Sequence, residues 1–281
     1  MTEESYIISD FHIHTPYCGH AHGKIIDYVE VALQQGMKKI CFTDHLGRYY
    51  LTPSQKKRYW DWGMNEQNLA RYFLELDDVE TTYKGRIEIR SGLEIDYIEG
   101  AEDMIMPLIE KYPSDFLLGS IHCLPEFGWK HIANYTEKDM WPIYKEYFRA
   151  AKAIVSAGIF NSLAHIDFIW RYAKWPAKRT MAIFKLIEDV VQTASSNNVA
   201  IEINSNGYLW SQIYTIIGGD PFEILLENVR KYQVPITIGS DAHKPQYVGK
   251  AFNELAHLMK IMGIKHYCTF ENKRKKWEKI P

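Results

Sequence analysis

The chain is short of several features that would place it quickly. Its 281 residues include only 4 cysteines, Cys18, Cys41, Cys123 and Cys268, and no two stand in CxxC spacing. That excludes a disulfide scaffold and a zinc ribbon, and it suits a reducing cytoplasm. No run of about 18 apolar residues occurs, which excludes a spanning helix of the usual kind. The opening MTEESYIISDF is acidic and has no basic segment leading into an apolar one, so it does not read as a signal peptide. Charge of one sign is also missing. The 33 basic and 35 acidic residues give a net charge of −2, which supplies no field to draw a nucleic-acid backbone. No GxGxxG follows the first strand candidate, which counts against a dinucleotide site. Internal repeats, Ser/Gly linkers and low-complexity blocks are absent as well.

What is present is a globular composition, 46% hydrophobic and 24% charged. The length suits one α/β barrel of about 250 residues. Short apolar runs at 6–11, 39–43, 87–91, 116–120, 160–164, 200–203 and 236–239 read as strands. Between them lie segments with helical spacing, such as 25–35, 181–194 and 221–232. Asp220 before Pro221 reads as an N-cap followed by a first-turn proline. Segment 49–68 is polar and aromatic and reads as an insertion or lid-like loop. The basic end, ENKRKKWEKI, reads as a solvated tail. Strands alternating with helices favour a parallel sheet with right-handed crossovers. About seven such units suggest a closed or nearly closed barrel, with a doubly wound open sheet as the alternative.

The sequence has 11 histidines, and most of them follow strands. His12 and His14 follow the first, Asp44 and His45 the second, Glu94 the third and His122 the fourth. His165 and Asp167 follow the fifth, Glu202 and Asn204 end the sixth, and Asp241 and His243 follow the seventh. In a parallel barrel these ends share one face, the face on which barrel active sites are built. Taken singly, Asp10 and Asp44 read as turn or cap residues, and His22, His131, His257 and His266 as structural or solvated ones. Seven polar strand ends, five with histidine, are hard to obtain from turns and caps. Imidazole with carboxylate suits zinc, manganese or iron better than magnesium or calcium alone. The number of donors exceeds the needs of one ion, so two or three divalent ions are expected. Ions clustered about 3.5–4 Å apart suit phosphoryl transfer.

In this order and spacing HIHTPYCGHA, FTDH, GLEID, GSIH, AHID and GSDAH resemble the PHP (polymerase and histidinol phosphatase) family, and within it the histidinol-phosphate phosphatase branch. The resemblance runs from about Tyr6 past His243. It implies one domain over 1–281, a distorted (β/α)7 TIM-like barrel with a trinuclear metal centre at the C-terminal ends of the strands. It assigns one ion to His12, His14, Glu94 and Asp241, and a second to His20, His45 and His243. A third would be held by His122 and His165, with Glu94 bridging. His20 is chosen over His22 by spacing. The implied reaction is hydrolysis of a phosphomonoester, most specifically L-histidinol phosphate in histidine biosynthesis, by in-line attack of a metal-bridging hydroxide. Arg171 stands where this branch carries a phosphate-binding arginine. Asp167 is open to three roles: orienting a ligand, protonating the leaving alkoxide, or capping a helix.

One departure matters. Where the branch reads roughly EINTSGLR, this chain reads IEINSNGYLW, so Tyr208 and Leu209 replace a second phosphate arginine. Arg48, Arg179 and Lys244 are candidates to compensate. Tyr49, Tyr50, Tyr59, Trp60 and Trp62 either cover the substrate or pack the loop onto the barrel. The expected partner is a small phosphorylated metabolite, with no nucleic acid and no membrane. A phosphodiesterase or nuclease of the same family, or a phosphatase for another metabolite, is the alternative. A scaffold protein with a dead site is disfavoured because every expected ligand position is filled.

Overall fold

The computed structural model describes residues 7–59, 61–212, 216 and 218–281. The apolar runs form parallel strands β1 (Ser9–Ile13), β2 (Lys39–Leu46), β3 (Glu88–Asp96) and β4 (Phe116–Ser120). A small antiparallel hairpin, β5 (Cys123–Leu124) and β6 (Lys130–His131), comes next. The series resumes with β7 (Ser162–Leu163), β8 (Ala200–Asn204) and β9 (Ile236–Gly239). Strand order in the sheet follows chain order throughout. An open doubly wound sheet would reverse direction at a switch point, and none occurs here. The edges meet instead: His14 N–H donates to the Ala242 carbonyl at 3.0 Å, and Ala242 N–H to the His12 carbonyl at 3.3 Å. The result is a nearly closed, seven-stranded TIM-like barrel.

β4 and β9 match their apolar runs, β7 is shorter than its run, and β2, β3 and β8 run further. β2 and β3 continue through Thr43–Leu46 and Gly92–Asp96, paired residue for residue. The polar residues there are buried, so hydropathy alone ends the strands too early. The first strand was expected from residue 6, which lies outside the described residues.

The helices follow the expected periodicity. α1 (Ile25–Gln34) buries Ile25, Tyr28, Val29 and Ala32 on one face. α9 (Pro221–Tyr232) starts at Asp220, whose Oδ1 accepts from Phe222 N–H at 2.8 Å. The segment after β2 is not an irregular loop throughout. It contains α2 (Pro53–Arg58), capped by Thr52, and its last residues open α3 (Glu66–Tyr83). α5 (Trp141–Ser156), α7 (Thr180–Ser196) and α9 pack in series outside the barrel.

The basic end is not a solvated tail. Arg274–Lys279 forms β11, paired antiparallel with β10 (His266–Glu271) from His266↔Lys279 to Glu271↔Arg274. Asn272 and Lys273 both have positive φ, 50° and 61°, as a two-residue hairpin turn of the primed type requires. Asn-Lys is a weaker signal for that turn than Asn-Gly. β11 also faces solvent on both sides, so it shows no apolar alternation.

The hairpin has a place in the core. Cys268 and Phe270 join Phe11, Cys41, Phe116, Leu118, Ala164 and Ala200 in one buried cluster. Residues from so many barrel strands meet only inside the barrel, so β10 plugs its N-terminal end. A larger apolar layer fills the space between strands and helices. Among the described residues no helix is long and apolar enough to cross a membrane.

Candidate metal centre

The opposite end of the barrel collects the histidines. His12 lies on β1 and His14 just past its end, and the register of β1 with β2 shifts between Asp10 and Ile13. His45 and Glu94 are paired neighbours on β2 and β3. His122 and His165 follow β4 and β7 by two residues, and Asp241 and His243 follow β9. Asp241 has φ +54°. That left-handed conformation is tolerated by Asp better than by most residues, and it is of the kind found at sites over-determined by their surroundings.

Glu94 is the centre of the arrangement. Its Oε1 lies 2.9 Å from His165 Nε2 and 3.5 Å from His122 Nε2. Its Oε2 lies 3.0 Å from His45 Nδ1, 3.2 Å from His12 Nε2 and 3.5 Å from His14 Nε2. Asp241 Oδ1 lies 3.1 Å from His14 Nε2. Four sets of three donors each lie within 4.8 Å of one another: His14, His45 and His243; His12, His14 and Asp241; His12, Glu94 and His165; His45, Glu94 and His122. A fifth set, His14 with Cys18 and Asp44, adds a thiol. The grouping brings His45 to His122 through Glu94, besides placing it with His243.

His20 belongs to none of these sets. It stands at the outer edge of the cluster, open to solvent on one side, with its ring set inward 4.9 Å from His243 and 5.1 Å from His45. The Asp61 carbonyl lies 3.0 Å from its Nδ1, so with the proton on that nitrogen Nε2 is the free donor. His22 touches this region through its backbone, donating to the His243 carbonyl.

A second ring of carboxylates aims the imidazoles. Glu202 Oε1 is 2.6 Å from His12 Nδ1, Asp44 Oδ1 is 3.4 Å from His14 Nδ1, and Asp96 Oδ1 is 2.9 Å from His122 Nδ1. Asp44 also accepts from Thr15 and from His45 N–H. Asp10 accepts from the backbone of His12, Ser240 and Gly249, tying β1 to the β9 loop. So Asp10 and Asp44 are not simple turn or cap residues. Asp96 is the carboxylate that sequence reasoning passed over. Its signal was present, two residues after Glu94 on the same strand and hence on the same face.

Electrostatics follow from this packing. Burial lowers His14 and His122, but their carboxylate neighbours override it and raise both to about 9. His12 is driven well up by Glu202, Glu94 and Asp241 against the same burial. Burial and neighbouring histidines push His20 down to about 4 and His243 to about 2. Burial would raise Glu94, yet His45, His12 and His122 hold it well below the usual range.

The donors fit divalent cations. His14 Nε2 and His165 Nδ1 are buried without an aligned hydrogen-bond partner. The outward carboxylate contacts fix the ring orientation, as they do for metal-binding imidazoles.

Beside the cluster stands the Asp167–Arg171 pair, on and just before α6 (Phe168–Tyr172). Arg171 is not a surface residue. Its side chain is 4% exposed, and Nε lies 2.7 Å from Asp167 Oδ2. Nε and Nη2 still lack aligned hydrogen bonds, as do both Asp167 oxygens. Asp167 is at the N-cap position but makes no capping bond. Burial pushes its pKa up, against the pull of Arg171 and His165. Gly207 fits against it so closely that a Cβ there would lie 2.5 Å from Asp167 Oδ2.

Where a second arginine was expected, Tyr208 packs 6.3 Å from the Phe222 ring within α8 (Ser205–Ser211). Of the candidates to compensate, Arg179 lies over the Trp141 ring and Arg48 beside Asn65 and Glu66. Lys244 is exposed and directly follows His243.

A cavity of about 230 Å³ opens over His45 and His122. Asp61, Trp62 and His131 form its outer wall. His131 is therefore not simply structural or solvated. It had no sequence signal, because the short β5–β6 hairpin that returns it beside Cys123 is not legible as strand. The aromatic segment packs onto the barrel. Tyr49 donates to the Asp96 carbonyl at 2.6 Å, Tyr50 packs at a tilt on Trp129, and Tyr59 meets Trp62 edge-on. Trp60 lies outside the described residues.

Comparison with known proteins agrees with this architecture. The PHP domain model matches residues 10–206, and a PHP-associated model matches residues 225–260. A protein of Deinococcus radiodurans named "Probable histidinol-phosphatase" is 29% identical over 91% of this chain and 94% of its own. The histidinol-phosphatase of Bacillus subtilis is 28% identical over 86% of this chain and 96% of its own. A crystal structure of histidinol phosphate phosphatase from Lactococcus lactis, complexed with zinc, L-histidinol and phosphate, superposes with a TM-score of 0.78. It is 22% identical, covering 95% of this chain and 98% of that one.

Proposed function

The chain belongs to the PHP domain family, and from that premise we propose that it is a metal-dependent phosphomonoesterase whose substrate is L-histidinol phosphate. The observation that carries this reading is Glu94. One buried carboxylate shares its two oxygens among five histidines, with Asp241 beside them and a buried, incompletely partnered arginine at the rim. The names of the curated relatives supply the substrate.

In this reading His12, His14, His20, His45, Glu94, His122, His165, Asp241 and His243 hold two or three ions of zinc, manganese or iron. Such ions offset charge on a phosphoryl group and make hydroxide available at neutral pH. The chain's own groups do the rest. Glu202, Asp44 and Asp96 fix the imidazoles. Arg171 binds the non-bridging phosphoryl oxygens with a planar fork that matches them. Asp167 positions that fork, and its burial makes it the carboxyl best suited to carry a proton to the leaving alkoxide. Residues 1–281 act as one barrel domain, in the cytoplasm, on a small metabolite rather than a nucleic acid or a membrane.

A titration of the metal-depleted protein with zinc, manganese and iron tests this. L-histidinol phosphate, p-nitrophenyl phosphate and the bis-p-nitrophenyl ester are compared at each point. Preference for L-histidinol phosphate is expected. Preference for the bis-ester would move the activity to a diesterase, and no turnover with any ion would overturn the enzyme reading.

A further inference from the structure

Resting on the reading above, we propose that Trp62 and His131 form the wall that reads the alcohol end of the substrate, selecting a planar, nitrogen-bearing ring over an aliphatic chain. The Arg171 guanidinium lies over the Phe168 and Tyr172 rings at 5.3 and 5.4 Å. On those same rings His131 rests, edge-on, at 5.5 and 6.5 Å. Beyond it, Trp62 meets His131 at 6.4 Å and 76°. Arg171 and His131 thus share the Phe168 and Tyr172 rings as a common support, so an ester whose phosphate is held by Arg171 would have His131 and Trp62 within reach of its alcohol end.

Both side chains are fixed rather than incidental. The Trp62 indole N–H donates to Asp96 Oδ2 at 3.3 Å. It can do so because residue 47 is glycine: a Cβ there would lie 2.6 Å from the indole Cδ1 and 3.1 Å from Asp96 Oδ2. Asp96 uses its other oxygen to hold His122. The wall and the metal-facing imidazole thus share one anchor. His131 Nδ1 accepts from Ala133 N–H at 3.2 Å, so its proton sits on Nε2. The ring offers the cavity an N–H donor and an aromatic edge. Asp61 stands at the same wall, with its backbone carbonyl 3.0 Å from His20 Nδ1. The cavity, about 230 Å³, is smaller than the roughly 300–1,000 Å³ of sites that enclose a drug-sized ligand. It has room for a small ring and an amino group.

The test compares L-histidinol phosphate with 2-aminopropyl phosphate, the same amino alcohol without the ring. For metal-loaded wild type, H131A, H131Q and W62F, kcat/KM on each is measured together with bound metal. Calorimetry gives the affinity for L-histidinol. H131A is expected to reduce the preference for the ring-bearing ester by about tenfold or more, with metal content unchanged. H131Q, which keeps a donor, recovers part of it, and W62F falls between. L-histidinol binds more weakly to H131A. Equal losses on both esters, or unchanged preference, overturns the proposal. If wild type hydrolyses no phosphomonoester, the proposed function falls and calorimetry alone decides the wall. Weaker L-histidinol binding by H131A then supports it, while unchanged binding, or none by wild type, overturns it.

Discussion

Glu202 and His12, 190 residues apart in sequence, meet at 2.6 Å between Oε1 and Nδ1, both buried. The second oxygen of Glu202 accepts from the His165 backbone N–H at 2.7 Å. One carboxylate on β8 therefore sets the aim of an imidazole on β1 and the path of the chain carrying another. Its replacement should show in metal affinity before it shows in the fold. Glu202→Gln is expected to weaken metal binding by about 10–100-fold, read by competition with a chelator, while circular dichroism stays that of wild type.

Glu94→Gln removes the shared charge at the centre. We expect loss of at least one equivalent of bound metal by elemental analysis, and hydrolysis below about a hundredth of wild type. Full metal content with full activity would take Glu94 out of the centre.

Arg171→Ala is expected to leave metal content intact and to lower kcat/KM for a phosphomonoester by about 100-fold, the usual order for one transition-state donor. Arg171→Lys should recover little, because an ammonium lacks the planar fork. Inhibition by inorganic phosphate should weaken in parallel. Gly207→Ala is expected to reproduce a milder form of this defect, since its Cβ would press on Asp167.

Metal uptake should release protons. In the metal-free protein His14 and His122, each raised to about 9, hold protons at pH 7. A nitrogen that accepts a cation has to give its proton up. Apparent affinity should therefore rise with pH from 7 towards 9. Calorimetry in buffers of differing ionisation enthalpy counts the protons, and a release of none would contradict the arrangement.

The four thiols are expected to be silent in the native state. All are buried, and burial pushes each of them up, Cys268 to about 12. Titration with a thiol reagent at pH 8 should give no fast phase until denaturant is added, because the thiolate is the reactive form.

Much of the barrel was legible because its strands end in residues whose chemistry repeats. His12, His45, Glu94 and His243 carry that repetition, and the spacing between them is set by helices of ordinary period. Other features left no trace in composition. β6 is two residues long, so His131 could not be seen returning to His122. β11 is wet on both faces, so its basic residues resembled a tail. The pairing of Trp62 with Asp96 depends on the missing side chain at Gly47, which a string of residues does not show. Asp167 and Arg171 were legible only as members of a motif, since their mutual 2.7 Å contact and burial depend on α6 folding back over the barrel mouth.

The hairpin under the barrel bears on how the protein is made. Phe270 lies 5.1 Å from Phe116, which lies 5.5 Å from Phe11. A nascent chain has all seven barrel strands before it has this stopper. Until β10 emerges, the inner layer has no floor, and the loop to be closed between Phe11 and Phe270 spans nearly the whole chain. Loop closure over such a span is entropically costly, only slightly more so than closing the rim between His14 and Ala242, so it is the late synthesis of β10 that puts the floor last. The metal-facing rim, at the other end, is held by contacts among elements synthesised earlier. The rim can thus close, through His14 and Ala242, before β10 seals the floor.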